Sequence, residues 1–281
     1  MDAISLALVL SAALIHATWN VLAKRAAGGA RFVWCYSVAS GVFYFPVLWL
    51  TAPAHAWSWG VAGVVVASGL LHLGYALVLQ AGYQRADLSV VYPVARGTGP
   101  ALSVIGAILL LGEPASLTTV GGAVLIVAGI LVIGLHAGTG ARRLLAGVRW
   151  GGLTGLFIAA YTVLDGAAVK LMAVAPIVLD YFGNLLRIGL LTPLALGGAP
   201  DWREEWRRYG GIALLCGALV PLSYIFVLFA MQRAPVSVVA PAREASMMVG
   251  VLLGWWLFKE GQLLRRLAGA ALIGLGVVVL A

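Results

Sequence analysis

The chain has 281 residues, 62% of them hydrophobic and 10% charged, with a net charge of +8 and a mean hydropathy of +1.02. An ordinary soluble domain carries roughly 25% charged residues, so 18 Lys and Arg with 10 Asp and Glu cannot solvate a surface of this size. A disordered chain is excluded too, since such chains are poor in apolar residues. The basic balance does not read as nucleic-acid binding, because no folding domain presents a basic patch. In a polytopic membrane protein the excess cations belong to cytoplasmic loops.

A helix crossing the hydrocarbon core needs about 20 apolar residues. That length predicts ten spans, at 3–23, 32–50, 60–80, 89–110, 117–136, 150–170, 177–197, 210–231, 237–258 and 263–281. Trp57, Trp59, Trp150, Trp202 and Trp206 fall near predicted ends, where indoles prefer the headgroup region. The run Trp202–Tyr209 reads as an interfacial segment. The first span is not read as a cleaved leader: Asp2 stands where a basic n-region belongs, and the apolar run continues through Trp19 and Asn20. The spans are apolar all round, unlike the alternating strands of a barrel. Cys35 and Cys216 lie in different spans and form no metal-ligand spacing.

An internal repeat organises these spans. Residues 84–93 read QRADLSVVYP and residues 232–241 read QRAPVSVVAP, with seven of ten positions identical. Gly122-Ala123-x-Leu125-Ile126-x-x-Gly129 recurs as Gly269-Ala270-x-Leu272-Ile273-x-x-Gly276. Pro46 is matched by Pro193 and Glu113 by Glu260, and the first helices align with Trp19 against Tyr161. The halves divide as 1–140 and 141–281, five helices each. Because five is odd, the second half starts on the opposite side of the membrane. Inverted repeats of this kind typify secondary transporters, whose substrate site lies near the midplane between the halves. The predicted fold is all-α: ten transmembrane helices in two inverted five-helix repeats around a central cavity.

These motifs resemble the drug/metabolite transporter superfamily, in particular its EamA-type exporters. The carrying residues are Ser89-Val90-Val91-x-Pro93 with Leu111-Gly112-Glu113, the Gly122–Gly129 pattern, and their second-half copies at Ser237–Pro241, Lys259-Glu260 and Gly269–Gly276. The second half departs from the first where Phe258-Lys259-Glu260 replaces Leu-Gly-Glu. The resemblance implies a basket of helices whose cavity is lined by helices 1, 3, 4, 6, 8 and 9. The overall character is similar to the superfamily's bacterial aromatic amino-acid exporters, which implies a multi-pass inner-membrane protein acting as a monomer on amino acids.

Intramembrane polar residues are costly and mark function by default. Helix 1 offers His16, Trp19 and Asn20 on one face, helix 3 His72 and Tyr75, and helix 4 Tyr92. The second half offers Tyr161 on helix 6 and Tyr224 on helix 8. Aromatic rings with polar edges suit an amphipathic organic substrate, although interhelical packing would use the same residue types. A second set is charged: Arg96, Asp165, Arg243 and Glu244, read as a gate or as helix ties. Arg96 and Arg243 are equivalent in the repeat, so each is expected towards one mouth, with a different partner. The pairs Gly151–Gly155 and Gly250–Gly254 read as close helix packing.

Enzyme signatures of the HExxH, GxSxG and Walker kinds are absent from the sequence. The chain is expected to be a secondary amino-acid exporter without cofactor or metal, not an enzyme. The alternative is a proton-coupled multidrug or other small-metabolite exporter of the same fold; a channel is disfavoured by the repeat. With Asp165 and Glu244 the only buried acids considered, weak or no proton coupling is expected. Thirteen cations fall in or beside the odd-numbered connections, against Lys170 and Arg233 for the even ones. Cation-rich short loops stay cytoplasmic, so both termini are expected outside.

Overall fold

A bilayer offers no water to backbone amides and carbonyls, so each segment must satisfy its own. The computed structural model describes residues 1–26, 29–51, 57–86, 88–134, 141–197, 202–249 and 263–280, and among these every regular element is helical. They are α1 (Ala3–Ala26), α2 (Gly29–Thr51), α3 (Trp59–Arg85), α4 (Leu88–Leu111), α5 (Leu117–Gly134), α6 (Ala141–Lys170), α7 (Pro176–Leu196), α8 (Trp202–Arg233), α9 (Val236–Ala242) and α10 (Leu263–Leu280). Seven, α1–α4 and α6–α8, are long and apolar enough to cross a membrane; α5 and α10 are apolar over shorter runs.

Two predicted boundaries move. The structure starts α6 at Ala141 instead of the expected 150, and makes 202–209 the first turns of α8. There Arg203 lies over the Trp202 ring and Arg208 over Tyr209, while Glu204 and Glu205 favour the helix start. The ninth span is not one uniform helix. After Pro241 it passes through a 3-10 turn, Arg243–Ala245. Gly250–Gly254, Lys259 and Glu260 lie outside the described residues.

The direction of the halves is read from glycines. A Cβ on Gly129 would sit 2.5 Å from the Gly269 carbonyl oxygen, and one on Gly276 would sit 2.7 Å from that of Gly122. Position 129 thus meets 269 while 122 meets 276, which only antiparallel helices can do. Since α5 and α10 are equivalent in the repeat, the halves are inverted. The other contacts obey the same exchange: α1 packs on α8 as α6 packs on α3, and α2 on α8 as α7 on α3. The pairs α2·α7, α4·α9 and α5·α10 cross the pseudo-two-fold axis. At one of them Asn184 donates its side-chain amide to the Ser37 carbonyl, 2.9 Å away. Between α4 and α6 a glycine stripe sets a parallel register, with Gly147 against Val90, Gly151 against Val94 and Gly155 against Thr98.

The outward surface is apolar, with Trp49, Leu109, Leu117 and Val278 exposed, as lipid contact requires. The main core packs residues such as Val9, Leu48, Val178, Leu228 and Val239 between the midplane and the face carrying the termini. On that face Glu113 closes the start of α9, accepting the backbone N–H of Val236 at 2.7 Å and of Ser237 at 2.8 Å. Lys170 pairs with Glu113 at 3.1 Å and also reaches the Ala234 carbonyl. Arg233 pairs with Asp2 at 2.9 Å. Burial works against the Glu113 carboxylate, but the bonds from Ser237 and Val236 and the Lys170 ammonium hold its pKa below the ordinary value. Hydrogen bonds from Ser5, and then Arg233, bring Asp2 down to about 2.

Two outcomes follow from this packing. Gly129→Val places side-chain atoms against backbone that cannot retreat, an overpacking cost of about 1–3 kcal/mol or more; a thermal melt in detergent should fall, whereas Gly121→Ala, whose added Cβ would meet open space, should leave it unchanged. A depressed carboxylate contributes fully above its unfolded pKa and loses that contribution as pH falls through its folded one. Melting temperature should therefore drop on acidification in the native protein. Glu113→Gln should cost about 2 kcal/mol at neutral pH and show a shallower acid dependence.

Candidate functional site

The helices enclose a cavity of about 190 Å³ at the midplane. Its wall includes His16, Trp19 and Asn20 from α1, His72 and Tyr75 from α3, Tyr92 from α4, Tyr161 from α6 and Tyr224 from α8. The eight aromatic and polar residues singled out in the sequence thus come together in one place. Arg96 and Arg243 also reach the wall. Asp165 and Glu244 do not; both are fully buried behind it.

Two helices not expected to contribute also line the cavity: α2 supplies Tyr36, and α7 supplies Asp180 and Arg187. They reach it because α2 and α7 cross at the pseudo-two-fold axis, beside the cavity. The signal for Asp180 and Arg187 was present in the sequence: two charges inside an apolar span, two helical turns apart.

Local geometry orients the α1 face. The Asn20 amide donates to the His16 carbonyl at 2.7 Å, and the His16 ring meets the Trp19 ring edge-on at 4.9 Å. The indole N–H of Trp19 is buried without a hydrogen-bond partner among the described residues. An Arg96 amino group lies 3.2 Å from His16 Nε2. A guanidinium only donates, so His16 must accept there, as a neutral ring with its proton on Nδ1.

The two arginines share one partner. Arg96 Nε lies 3.0 Å from Glu244 Oε2, and Arg243 Nε lies 3.6 Å from Glu244 Oε1. This corrects the expectation of one arginine towards each mouth with separate partners. Each backbone starts some seven residues, about 10 Å, inside its own face, and the long side chains cover the remaining distance to the axis where α4 and α9 pack. Two guanidiniums against one carboxylate leave a local excess of positive charge. An amino group of Arg243 has no hydrogen-bond partner among the described residues.

A second cluster stands on α3, α6 and α8. Asp165 Oδ2 accepts a short hydrogen bond from the Tyr224 hydroxyl, and His72 Nε2 lies 3.0 Å from the same oxygen. Asp165 Oδ1 has no hydrogen-bond partner among the described residues. The His72 ring stacks on Tyr161, with centroids 3.9 Å apart, and Tyr75 and Tyr224 meet Tyr161 edge-on. Cys35 and Cys216 are free thiols in one apolar cluster with Phe32. No group of three metal-binding side chains occurs among the described residues.

Chemically the cavity combines aromatic faces with two guanidiniums that share one carboxylate. It can hold a small organic molecule carrying a carboxylate and an apolar group.

Comparison with known proteins agrees with this architecture. A solved crystal structure, 18% identical, superposes with a TM-score of 0.79, covering 98% of this chain and 97% of its own, which shows a shared fold. No curated protein matches the chain. The model of the EamA-like transporter family matches twice, over residues 3–135 and 145–281. Two such matches in tandem, on a helical chain with an inverted repeat, place this protein in the EamA-like transporter family of the drug/metabolite transporter superfamily.

Proposed function

We propose that this membrane transporter exports amino acids, with a preference for aromatic side chains and broad selectivity, across the bacterial inner membrane by alternating access. The observation that carries the reading is the Arg243 guanidinium, buried in a cavity wall of aromatic rings with an amino group that has no hydrogen-bond partner among the described residues. A substrate carboxylate satisfies that group, and the rings of Trp19, Tyr75 and Tyr161 offer the side chain apolar contact. Loose apolar contact discriminates poorly, since one methylene is worth only about 1–3 kcal/mol. A cationic drug would want an open carboxylate on α1, and that helix offers His16, Trp19 and Asn20 to the cavity instead.

The pathway is read as running from the cation-rich face to the face of the termini. The even-numbered connections hold only Lys170 and Arg233, and both are neutralised in ion pairs with Glu113 and Asp2. The excess of Lys and Arg in the odd connections is what reads them as cytoplasmic. One chain contains both halves of the cavity and is taken to act as a monomer.

Transport is tested by counterflow of labelled phenylalanine, tryptophan and alanine in proteoliposomes. Uptake of all three, aromatic substrates fastest, is the expected result; movement of cationic dyes with no amino acid contradicts the reading. Trp19→Ala should weaken phenylalanine transport by on the order of 1 kcal/mol, about fivefold, and alanine transport much less. Equal losses for every substrate would make Trp19 a packing residue only. For orientation, a terminal alkaline-phosphatase fusion should be active and a green-fluorescent fusion dark; the reverse pattern would invert the topology.

A further inference from the structure

Asp165 is fully buried, and its two oxygens are treated unequally. Oδ2 holds both the Tyr224 hydroxyl and the His72 ring nitrogen, while Oδ1 holds nothing among the described residues. A buried carboxylate so poorly satisfied is costly unless a positive charge comes to it. The group beside it that can acquire one is His72. Its Nε2 faces the carboxylate, its Nδ1 remains for a second proton, and its side chain is 19% exposed at the cavity wall against 0% for Asp165. Imidazole is also the side chain whose ordinary charge change falls in the physiological range.

We propose that His72 and Asp165 form a proton-exchange site, through which this transporter couples export to proton entry. A proton from the cavity adds to His72 Nδ1, giving an imidazolium paired with the Asp165 carboxylate; its release restores the neutral ring, still bonded through Nε2. The surroundings explain why substrate and proton exclude one another. The groups facing the pair are Tyr75 on α3, Tyr161 on α6, Asp180 on α7 with the Arg187 guanidinium of the same helix acting on it, and Tyr224 on α8, with Arg96 from α4 and Arg243 after α9 acting on these tyrosines. The arginines draw a substrate carboxylate to their side, which turns the substrate ammonium towards the carboxylates and tyrosines around His72. An ammonium and an imidazolium there repel each other, so loading one favours loss of the other. Such competition is the requirement for exchange. It departs from the expectation of weak coupling, which rested on the sequence offering no evident acid able to couple protons tightly beyond Asp165 and Glu244.

The proposal rests on the cavity being a substrate pathway, and the experiment separates the two. Counterflow of labelled phenylalanine at equal pH on both sides of proteoliposomes reports the pathway alone. The same vesicles with a trapped pH dye and an imposed gradient of one unit report coupling. The native protein should run several-fold faster with the gradient and move protons when phenylalanine is added. In Asp165→Asn and His72→Gln the ratio of gradient-driven to gradient-free rate should fall to about one, whatever the absolute rates. Counterflow without stimulation or proton movement in the native protein, or stimulation retained in both variants, overturns the proposal. A second measurement needs no substrate: nitrogen-15 spectra of the histidines in liposomes, with His72 assigned through His72→Gln. The ring should take up a proton between mildly alkaline and mildly acidic buffer, and Asp165→Asn should change that response. A His72 ring unchanged across that interval overturns the proposal even if phenylalanine is no substrate.

Discussion

Helices in a bilayer gain little from excluding water from one another, so close backbone approach and interhelical hydrogen bonds decide how they associate. Here the decisive approach is between α5 and α10, where Gly122 and Gly129 face Gly276 and Gly269 with no room for a side chain. That antiparallel contact between equivalent helices fixes the inversion of the halves. Once it is made, α4 must cross α9 and α2 must cross α7 on the same axis. The midplane space between those crossings is the cavity.

Inversion also accounts for the cavity's charge pattern. Arg96 and Arg243 enter from opposite faces and converge at the axis, where the sequence breaks its own symmetry: Glu244 follows Arg243, but Gly97 follows Arg96. One carboxylate therefore serves two guanidiniums. Burying such charges costs more than apolar packing would, and breaking the set would strand a buried charge. The Asp165 group is asymmetric as well, since α6 carries an acid behind its Tyr161 whereas α1 carries His16 before its Trp19. Two mirror-related halves supply two conformations; their unlike residues supply chemistry that distinguishes substrate from proton.

Much of the fold was legible because it depends on length and repetition. Ten apolar runs, an odd number per half and matched glycines on the fifth and tenth helices lead to an inverted bundle. The cavity-facing residues were legible for a related reason: polar or aromatic side chains at i, i+3 and i+4 in an apolar helix, as at His16, Trp19 and Asn20, define a face. Partnerships across helices were not. Nothing in the order of residues says that Arg96 meets Glu244 or that His72 meets Asp165, because those distances depend on where helices cross. The part played by Tyr36 was hidden for the same reason, whereas Asp180 and Arg187 stood out as charges inside an apolar span. The helical start of α8 was hidden differently: Trp202–Tyr209 is too polar to read as a span, yet helix needs only continuing backbone bonds, not lipid.

Alternating access itself is tested most directly by accessibility on both sides of the cavity. In a Cys35→Ala, Cys216→Ala background, one cysteine replaces Asn20, which lines the cavity, and another, in a separate protein, replaces Val178, which is 1% exposed in the core towards the termini. An impermeant maleimide is applied to vesicles of either orientation, with and without phenylalanine gradients. Position 178 should be protected at rest and become reactive from the termini side during transport, while position 20 becomes less reactive from the opposite side. If transport proceeds with position 178 protected throughout, the two halves do not exchange conformations as the inverted repeat requires.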